Sequence, residues 1–267
     1  MRRSFIHFLL AFFVLLSGCS PHRTRCVYLS EKREYKDALD CWDSVIKNNA
    51  NDRNAYLDRA MVYYLTGQYA KALQDISYAN GLKPLDIDDV NLKANCLFKL
   101  GLPDSALTQF YVVYSQDHKY KLVNYNIATT YFENGDATNA LKYITQEIPH
   151  SPECDSCYGM QAMCLFELKR YRESEQAYSQ ALKCNPARKE YFMKRAACYG
   201  VLKDFKQAIE DCNSAIALDS NYSDAYLLRA FDFQNSGKQE DACRDFDKLK
   251  LLDSASATKY GSQINCK

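Results

Sequence analysis

Cysteine is the residue type in this sequence with the greatest capacity for chemistry. The 267-residue chain contains 12 Cys, against four His and one Trp. Cys154 and Cys157 form a C-x-x-C pattern where a loop is expected to enter a helix, and a helix N-terminus lowers the pKa of a thiol. The pattern supports a thiol–disulfide function. The alternative is a local disulfide or two inert thiols, which we favour because no βαβ pattern surrounds the pair.

No spacing of ligands or acid–base groups predicts a metal site or a catalytic site. A single C-x-x-C with no second pair and no nearby His spacing is poor support for zinc. The chain has nine Gly, none in a phosphate-binding loop, and its formal charge of +1 gives no overall field for nucleic acid. We therefore expect a protein that is not an enzyme, with no cofactor, no metal, no nucleic-acid partner and no small-molecule substrate.

The first 18 residues have the pattern of an export signal. Arg2 and Arg3 precede a mainly apolar run at residues 5–16, which is too short to cross a membrane as a helix. Leu-Ser-Gly then stands directly before Cys19, which resembles the lipobox of bacterial lipoproteins. The resemblance implies that the chain is cleaved before Cys19 and acylated on that residue. An ordinary secretory signal with a chance cysteine is the alternative.

The residues after this cysteine indicate a location in the bacterial cell envelope. Ser20 rather than Asp follows Cys19, which by similarity to enterobacterial lipoproteins implies the outer membrane. The basic stretch at 21–25 lacks the acidic cluster that implies surface export in some lipoproteins, so we expect the periplasmic face. No later segment reaches membrane-spanning length, and the lipid is therefore the expected contact with the membrane.

A period of 34 residues organises the rest of the sequence. Its clearest mark, here called the first small column, consists of Ala60, Ala94, Ala128, Ala162, Ala196 and Ala230. A second small column, twelve residues later, consists of Ala72, Ala106, Ala140, Ser174, Ala208 and Ala242. Bulky apolar residues flank the first column at helical spacing, and a turn separates the two columns. Each repeat therefore predicts two antiparallel helices, which must stack on neighbours because one hairpin cannot bury its own apolar face.

This pattern resembles the tetratricopeptide repeat family. The resemblance implies an all-α fold, a right-handed α-solenoid of stacked antiparallel helix pairs. Six tandem repeats are expected at residues 53–86, 87–120, 121–154, 155–188, 189–222 and 223–256. Residues 1–18 are the expected signal peptide, and 19–52 the lipid anchor, a short linker and an N-terminal partial repeat or cap. Residues 257–267 are expected to form a frayed C-terminal tail.

Three repeats carry an arginine followed sixteen residues later by an aspartate. The pairs are Arg59 with Asp75, Arg195 with Asp211, and Arg229 with Asp245. Repeats with Ile127 or Gln161 in the arginine column lack the aspartate, so the two residues occur together. This predicts salt bridges within a hairpin or between adjacent hairpins. The alternative is that the arginines bind an acidic partner, but the aspartates already neutralise them.

The family resemblance also implies a concave groove that binds an extended peptide or a partner helix. Its wall would include the column four residues after the first small column, which is aromatic in four successive repeats. The candidate groove residues are Leu57, Tyr64, Asn91, Asn95, Phe98, Tyr125, Phe132, Met163, Phe166 and Met193. The alternative is that these side chains form the core between repeats. The family's cradle for a terminal carboxylate is not expected, because Asn95 lacks the matching lysines.

Together these patterns predict a membrane-anchored scaffold or adaptor lipoprotein that binds a protein or peptide partner without catalysis. One alternative is a thiol–disulfide redox protein or sensor that uses Cys154 and Cys157. The other is an accessory subunit of an outer-membrane uptake or envelope-assembly complex, which differs from the first prediction only in the identity of the partner.

Overall fold

The computed structural model describes residues 21–266, and in that range the regular secondary structure is entirely helical. The predicted all-α class with repeated antiparallel helix pairs is confirmed. The chain divides into an N-terminal unit, residues 1–120, and a C-terminal unit, residues 121–267.

The N-terminal unit contains three helix pairs in its described part. Their helices are α1 (Pro21–Glu31), α2 (Tyr35–Asn48), α3 (Arg53–Leu65), α4 (Tyr69–Leu82), α5 (Ile87–Lys99) and α6 (Pro103–Gln116). Each helix packs against its partner in the pair, and the second helix of a pair packs against the first helix of the next. The order of helices along the chain is therefore also their order in the stack.

The C-terminal unit contains four helix pairs and a terminal helix. The pairs are α7 (Val123–Glu133) with α8 (Ala137–Glu147), α9 (Asp155–Glu167) with α10 (Tyr171–Cys184), α11 (Lys189–Val201) with α12 (Phe205–Leu218), and α13 (Ser223–Asn235) with α14 (Gln239–Leu252). A 3-10 turn at Ile148–His150 follows α8, and α15 (Ser254–Tyr260) packs on α14. Within this unit the pairs stack in the same way as in the other.

The two small columns lie where helices meet. Every residue of both columns is 0% exposed in the structure. A residue larger than Ala, Ser or Cys at these positions would push the helices apart, since protein interiors are packed at crystal-like density. The 34-residue pattern therefore indicates where the helix backbones approach each other most closely.

The N-terminal segment is a complete helix pair rather than the partial repeat expected from the sequence. Cys26 occupies the position of the first small column and Ala38 that of the second, and both are 0% exposed. A disulfide from Cys26 to Cys41 joins α1 to α2, with their Cα atoms 5.4 Å apart. A full first helix was not expected from the sequence, which left room only for a short one in the cap, because a cysteine replaces the alanine that marks the other repeats.

The C-terminal tail also differs from the frayed segment that was expected. Ala257 and Ile264 are buried against α14, and Cys243 of α14 forms a disulfide with Cys266. The tail covers the apolar face that the last helix pair would otherwise expose to water. The tail has few apolar residues, but they cover this face because they lie directly on it and the disulfide holds them there.

The turn inside each pair requires a left-handed backbone conformation. Glycine supplies it at Gly237, whose φ is 79°, whereas Lys169 and Lys203 adopt φ values of 59° and 61°. A residue with a Cβ atom is disfavoured in this region by about 1–2 kcal/mol. The lysines therefore carry a local conformational cost that glycine avoids.

Replacing Lys203 by glycine should stabilise the protein. We expect Lys203→Gly to raise the free energy of unfolding by about 0.5–1 kcal/mol, because relief of the left-handed conformation outweighs the added freedom of the unfolded chain. Urea denaturation followed by circular dichroism measures this change. The reciprocal variant Gly237→Lys is the matched control and should be destabilised. A loss of stability in Lys203→Gly would contradict the explanation.

Candidate functional site

Three of the predicted groove residues meet around one pocket in the C-terminal unit. Phe132 of α7 and Met163 and Phe166 of α9 line a cavity of about 270 Å³. Tyr178 of α10 also lines it and is only 1% exposed. Burial raises the pKa of the Tyr178 phenol well above its usual range, so the hydroxyl stays protonated. We call this cavity the apolar pocket.

The rim of the apolar pocket is charged. Glu167 of α9 and Lys194 of α11 line it together with Ala197, and both charged side chains are exposed to solvent. An apolar cavity with a few polar groups at its edge is the usual form of a recognition pocket. The arrangement can bind an apolar side chain and orient the polar atoms beside it.

The other predicted groove residues lie elsewhere on the first helices of their pairs. In the N-terminal unit, Leu57 and Tyr64 pack against the buried cluster around Ala60, and the Tyr64 ring lies 5.6 Å from that of Tyr69. The candidates that are partly exposed but do not line the apolar pocket are Leu57, Tyr64, Asn91, Asn95, Phe98, Tyr125 and Met193. Where they pack against a buried cluster, these side chains serve as core on one side and as surface on the other.

One repeat beyond the apolar pocket, the equivalent positions carry smaller or more polar residues. Phe166, Tyr178 and Cys198 correspond, 34 residues later, to Gly200, Cys212 and Asp232. Asp232 is 2% exposed, and its Oδ2 accepts no hydrogen bond from the described part of the chain. Burial raises the pKa of this carboxyl to about 7. Asp232 was not predicted from the sequence, although it is an acid in a column that holds Val, Cys or Thr in the five preceding repeats.

Each predicted arginine–aspartate pair forms a bidentate ion pair. Arg195 Nε and Nη2 donate to the two carboxylate oxygens of Asp211 at 2.8 and 2.7 Å, and Arg59 and Arg229 bind Asp75 and Asp245 in the same way. Each pair joins the two helices of one hairpin. The aspartates are buried, so the guanidinium supplies the partner that a buried charge needs.

Each of these arginines also reaches the preceding hairpin. Arg195 Nη1 donates to Ser179 Oγ at 2.8 Å, and Arg59 Nη1 binds Asp43 at 2.6 Å. Arg229 contacts Asn213 in the same manner. The acceptor on the preceding hairpin therefore lies sixteen residues before the arginine. In this way one arginine side chain connects three helices. The sequence analysis left hairpin and inter-hairpin pairing open, and the structure contains both.

The C-x-x-C pair forms a bond at a helix start. Cys154 and Cys157 are joined by a disulfide, and the backbone N–H of Cys157 also donates to Cys154 Sγ at 3.1 Å. Cys157 is 0% exposed. Burial of one sulfur and the capping contact of the other favour a bond that fixes the start of α9 over a reactive pair.

The free cysteines of the described residues are mostly buried. Burial raises the pKa of the Cys96 and Cys164 thiols to about 12 and that of the Cys198 thiol above its usual value. A thiol in this state is a poor nucleophile. These residues therefore act as small apolar side chains in the column two residues after the first small column.

The described residues contain neither a group of metal ligands nor a membrane-spanning helix. Within residues 21–266, no group of three or more His, Cys, Asp or Glu side chains could hold a metal ion. None of the helices in this range is long and apolar enough to cross a membrane. Cys19, the predicted lipidation site, lies outside the described residues.

Family profiles identify the repeat. The profile described as "Anaphase-promoting complex, cyclosome, subunit 3" matches residues 31–113 and 111–181, which together exceed half of the chain. The profile described as "Tetratricopeptide repeat" matches residues 160–223. The chain belongs to the tetratricopeptide repeat (TPR) family. The matches fall on the helix pairs described above, so the profiles and the structure agree on the repeat.

Two relatives match this chain over part of their own length. A DnaJ homolog subfamily C member 7 homolog from Dictyostelium discoideum is 34% identical over 92 residues, which are 33% of this chain and 17% of that protein. Hsp70-Hsp90 organizing protein 2 from Arabidopsis thaliana is 23% identical over 238 residues, 84% of this chain and 41% of that protein. The chain thus spans less than half the length of either relative.

Solved TPR structures share the fold. The C-terminal part of a TPR repeat-containing protein from Cytophaga hutchinsonii covers 88% of this chain and 98% of its own, with a TM-score of 0.73 at 17% identity. A TPR protein from Parabacteroides merdae covers 89% of this chain and 95% of its own, with a TM-score of 0.65 at 14% identity. At these identities the likeness is one of fold alone.

Removal of one partner of the Arg195–Asp211 ion pair should destabilise the protein more than removal of one partner of a surface salt bridge. We expect Arg195→Met to lower the free energy of unfolding by about 3–5 kcal/mol, because Asp211 is left buried without its cation. Combining it with Asp211→Leu should recover most of that loss, since two apolar residues replace the pair. Denaturation of Arg195→Met, Asp211→Leu and the double variant in urea measures the effect. If the two single substitutions each lower the free energy of unfolding and their losses add in the double variant, the prediction is contradicted.

Proposed function

We propose that this TPR protein is a scaffold lipoprotein of the bacterial envelope, anchored through Cys19, that binds a protein partner without catalysing a reaction. The observation that carries the proposal is the apolar pocket of Phe132, Met163 and Phe166. Its lining comes mainly from the first helices of three successive pairs, α7, α9 and α11, and includes Tyr178 of the second helix α10. A partner segment lying across these helices would place one apolar side chain in the pocket and others along the same column.

Rigidity of the framework supports a binding role. The guanidinium group of Arg195 connects α10, α11 and α12 through Ser179 and Asp211, next to Lys194 at the pocket rim. A surface held in one arrangement loses less conformational entropy when it binds, and this favours affinity. The pocket would therefore recognise a partner by shape, with the exposed charges of Glu167 and Lys194 selecting its polar neighbours.

The disulfides support a location outside the cytoplasm. Among the described residues, Cys26 pairs with Cys41, Cys154 with Cys157, and Cys243 with Cys266. Disulfides persist in oxidising compartments such as the bacterial periplasm and are rare in the cytosol. An exported, lipid-anchored chain would form these bonds after leaving the cytoplasm. We further propose that it faces the periplasm from the outer membrane, where an accessory role in an uptake or assembly complex would suit a scaffold.

Lipid attachment at Cys19 can be tested directly. Cells that express the chain and grow with radiolabelled palmitate should label the wild type but not Cys19→Ala, because the thiol is the acceptor. The variant should also leave the membrane fraction on cell lysis. Cys184→Ala, which removes a partly exposed free cysteine, is the matched control and should keep both the label and the location. Label that persists in Cys19→Ala would contradict the anchor.

Partner binding at the apolar pocket can be tested in cells by site-specific photo-crosslinking. A photoreactive amino acid at Phe132 should capture a defined partner protein that mass spectrometry identifies. The same amino acid at Thr145, exposed on the second helix of the same pair, is the control and should capture none. Capture at Thr145 together with none at Phe132 would place the binding surface on the opposite helices and refute the proposal.

A further inference from the structure

The hydroxyl of Tyr178 is a buried polar group that has no partner in the described chain. Tyr178 is 1% exposed, and no residue in the range 21–266 forms a hydrogen bond with its hydroxyl. Burial raises the pKa of this phenol, and nearby groups that include the Glu167 carboxylate at the pocket rim add to the increase. The oxygen is not sealed from solvent, in contrast to Oδ2 of Asp232. Because Tyr178 lines the apolar pocket, this accessible oxygen lies at the inner end of the cavity.

The ring of Tyr178 is needed for packing, but its hydroxyl is not. The equivalent positions of the other repeats are also buried and hold Ile76, Phe110, Ile144, Cys212 and Phe246. None of these side chains carries an oxygen or a nitrogen atom. A phenylalanine would therefore fill the position of Tyr178 as it does in two other repeats. Since a buried hydroxyl without a hydrogen bond is unfavourable, its presence here points to a partner from outside the chain.

The walls of the apolar pocket favour an aromatic ring as the occupant. Phe132 and Phe166 offer rings, and Met163 offers a thioether, and both kinds of group make favourable contacts with an aromatic side chain. The cavity of about 270 Å³ is smaller than the ~300–1,000 Å³ that is usual for drug-sized ligands, and it suits one large side chain. A charged side chain is disfavoured among these walls, because burial would remove its hydration.

The charged rim of the pocket is complementary to a peptide backbone. Glu167 and Lys194 are exposed, and neither forms an ion pair with a residue of the described chain. When a side chain of a partner enters the pocket, the amide groups beside it lie at the rim. The Glu167 carboxylate can accept a hydrogen bond from an N–H, and the Lys194 ammonium can donate one to a C=O. The rim therefore favours a protein segment as the ligand.

We propose that the apolar pocket receives a tyrosine side chain of the bound partner, whose hydroxyl forms a hydrogen bond with that of Tyr178. The inference rests on the proposed function and names the residue that the partner presents at this position. A phenol both donates and accepts, so it supplies the acceptor that the Tyr178 proton lacks. Phenylalanine would leave that proton unpaired, and the indole N–H of tryptophan can only donate.

The stability of Tyr178→Phe tests the premise that the hydroxyl has no partner within the protein. The equilibrium constant for unfolding should be no greater than that of the wild type, because only an unpaired hydroxyl is removed. Tyr191→Phe is the matched control: Arg188 Nη2 donates to the Tyr191 hydroxyl at 3.3 Å, so this variant should unfold about threefold more readily. Urea denaturation measures both constants. An increase for Tyr178→Phe as large as that for Tyr191→Phe would overturn the proposal.

Peptide binding tests the identity of the occupant. Random peptides displayed on phage are selected on the full chain in detergent, and the most enriched sequence is synthesised with either tyrosine or phenylalanine at its aromatic position. The tyrosine peptide should bind the wild type about tenfold more tightly than the phenylalanine peptide, because only the former pairs with the hydroxyl of Tyr178. Tyr178→Phe should bind the two peptides equally. Calorimetry measures the four affinities.

The outcomes separate the tyrosine from the proposed function as a whole. Selected peptides without an aromatic residue, or equal affinity of both peptides for the wild type, would refute the tyrosine while leaving the proposed groove in place. A tyrosine preference that persists in Tyr178→Phe would place the hydrogen bond elsewhere and would also refute the inference. Failure of every peptide to bind, together with no crosslink at Phe132, would reject both the inference and the proposed function.

Discussion

The structure depends on one constraint: a pair of helices cannot bury its own apolar surface. Each pair has a face toward the preceding pair and a face toward the next, and both must be covered. The small columns satisfy this requirement because residues such as Ala60 and Ala72 let helices α3, α4 and α5 approach closely. Most other features of the chain follow from it, including the strict period, the packed terminal helix and the limited choice of residues at the contacts.

The arginine bridges extend the same constraint to polar groups. Apolar contacts between helices are not directional, so they allow neighbouring pairs to slide. A guanidinium group that binds Asp211 on one side and Ser179 on the other fixes the register of three helices at once. Its partners occur sixteen residues after and sixteen before it, and this symmetry matches its place between two second helices. The charged groups thus fix the register of neighbouring helices, whereas the apolar columns contribute most of the stability of the packing.

The sequence predicted those features that repeat. The all-α class, the helix pairs and the Arg–Asp pattern all depend on residues that recur every 34 positions. Several features that occur once were not predicted in full. The first pair was expected only as a partial repeat or cap, since Cys26 replaces the alanine that marks the other repeats, and the bond from Cys243 to Cys266 depends on how the tail folds back. Asp232 shows a third kind of difficulty, since an acid in the column of Cys164 and Cys198 is visible in the sequence, whereas its burial without a cation is visible only in the structure.

The terminal disulfides have a consequence for how the molecule is degraded. Among the described residues, the first and last pairs each pack against one neighbouring pair, so they are the places where the described stack would begin to come apart. Cys26–Cys41 closes the first pair, and Cys243–Cys266 ties the tail to α14. A processive protease that unfolds either of these pairs would meet a covalent loop inside that pair before it reached the neighbouring one. Reduction of the two disulfides should therefore make these pairs easier for such an enzyme to unfold.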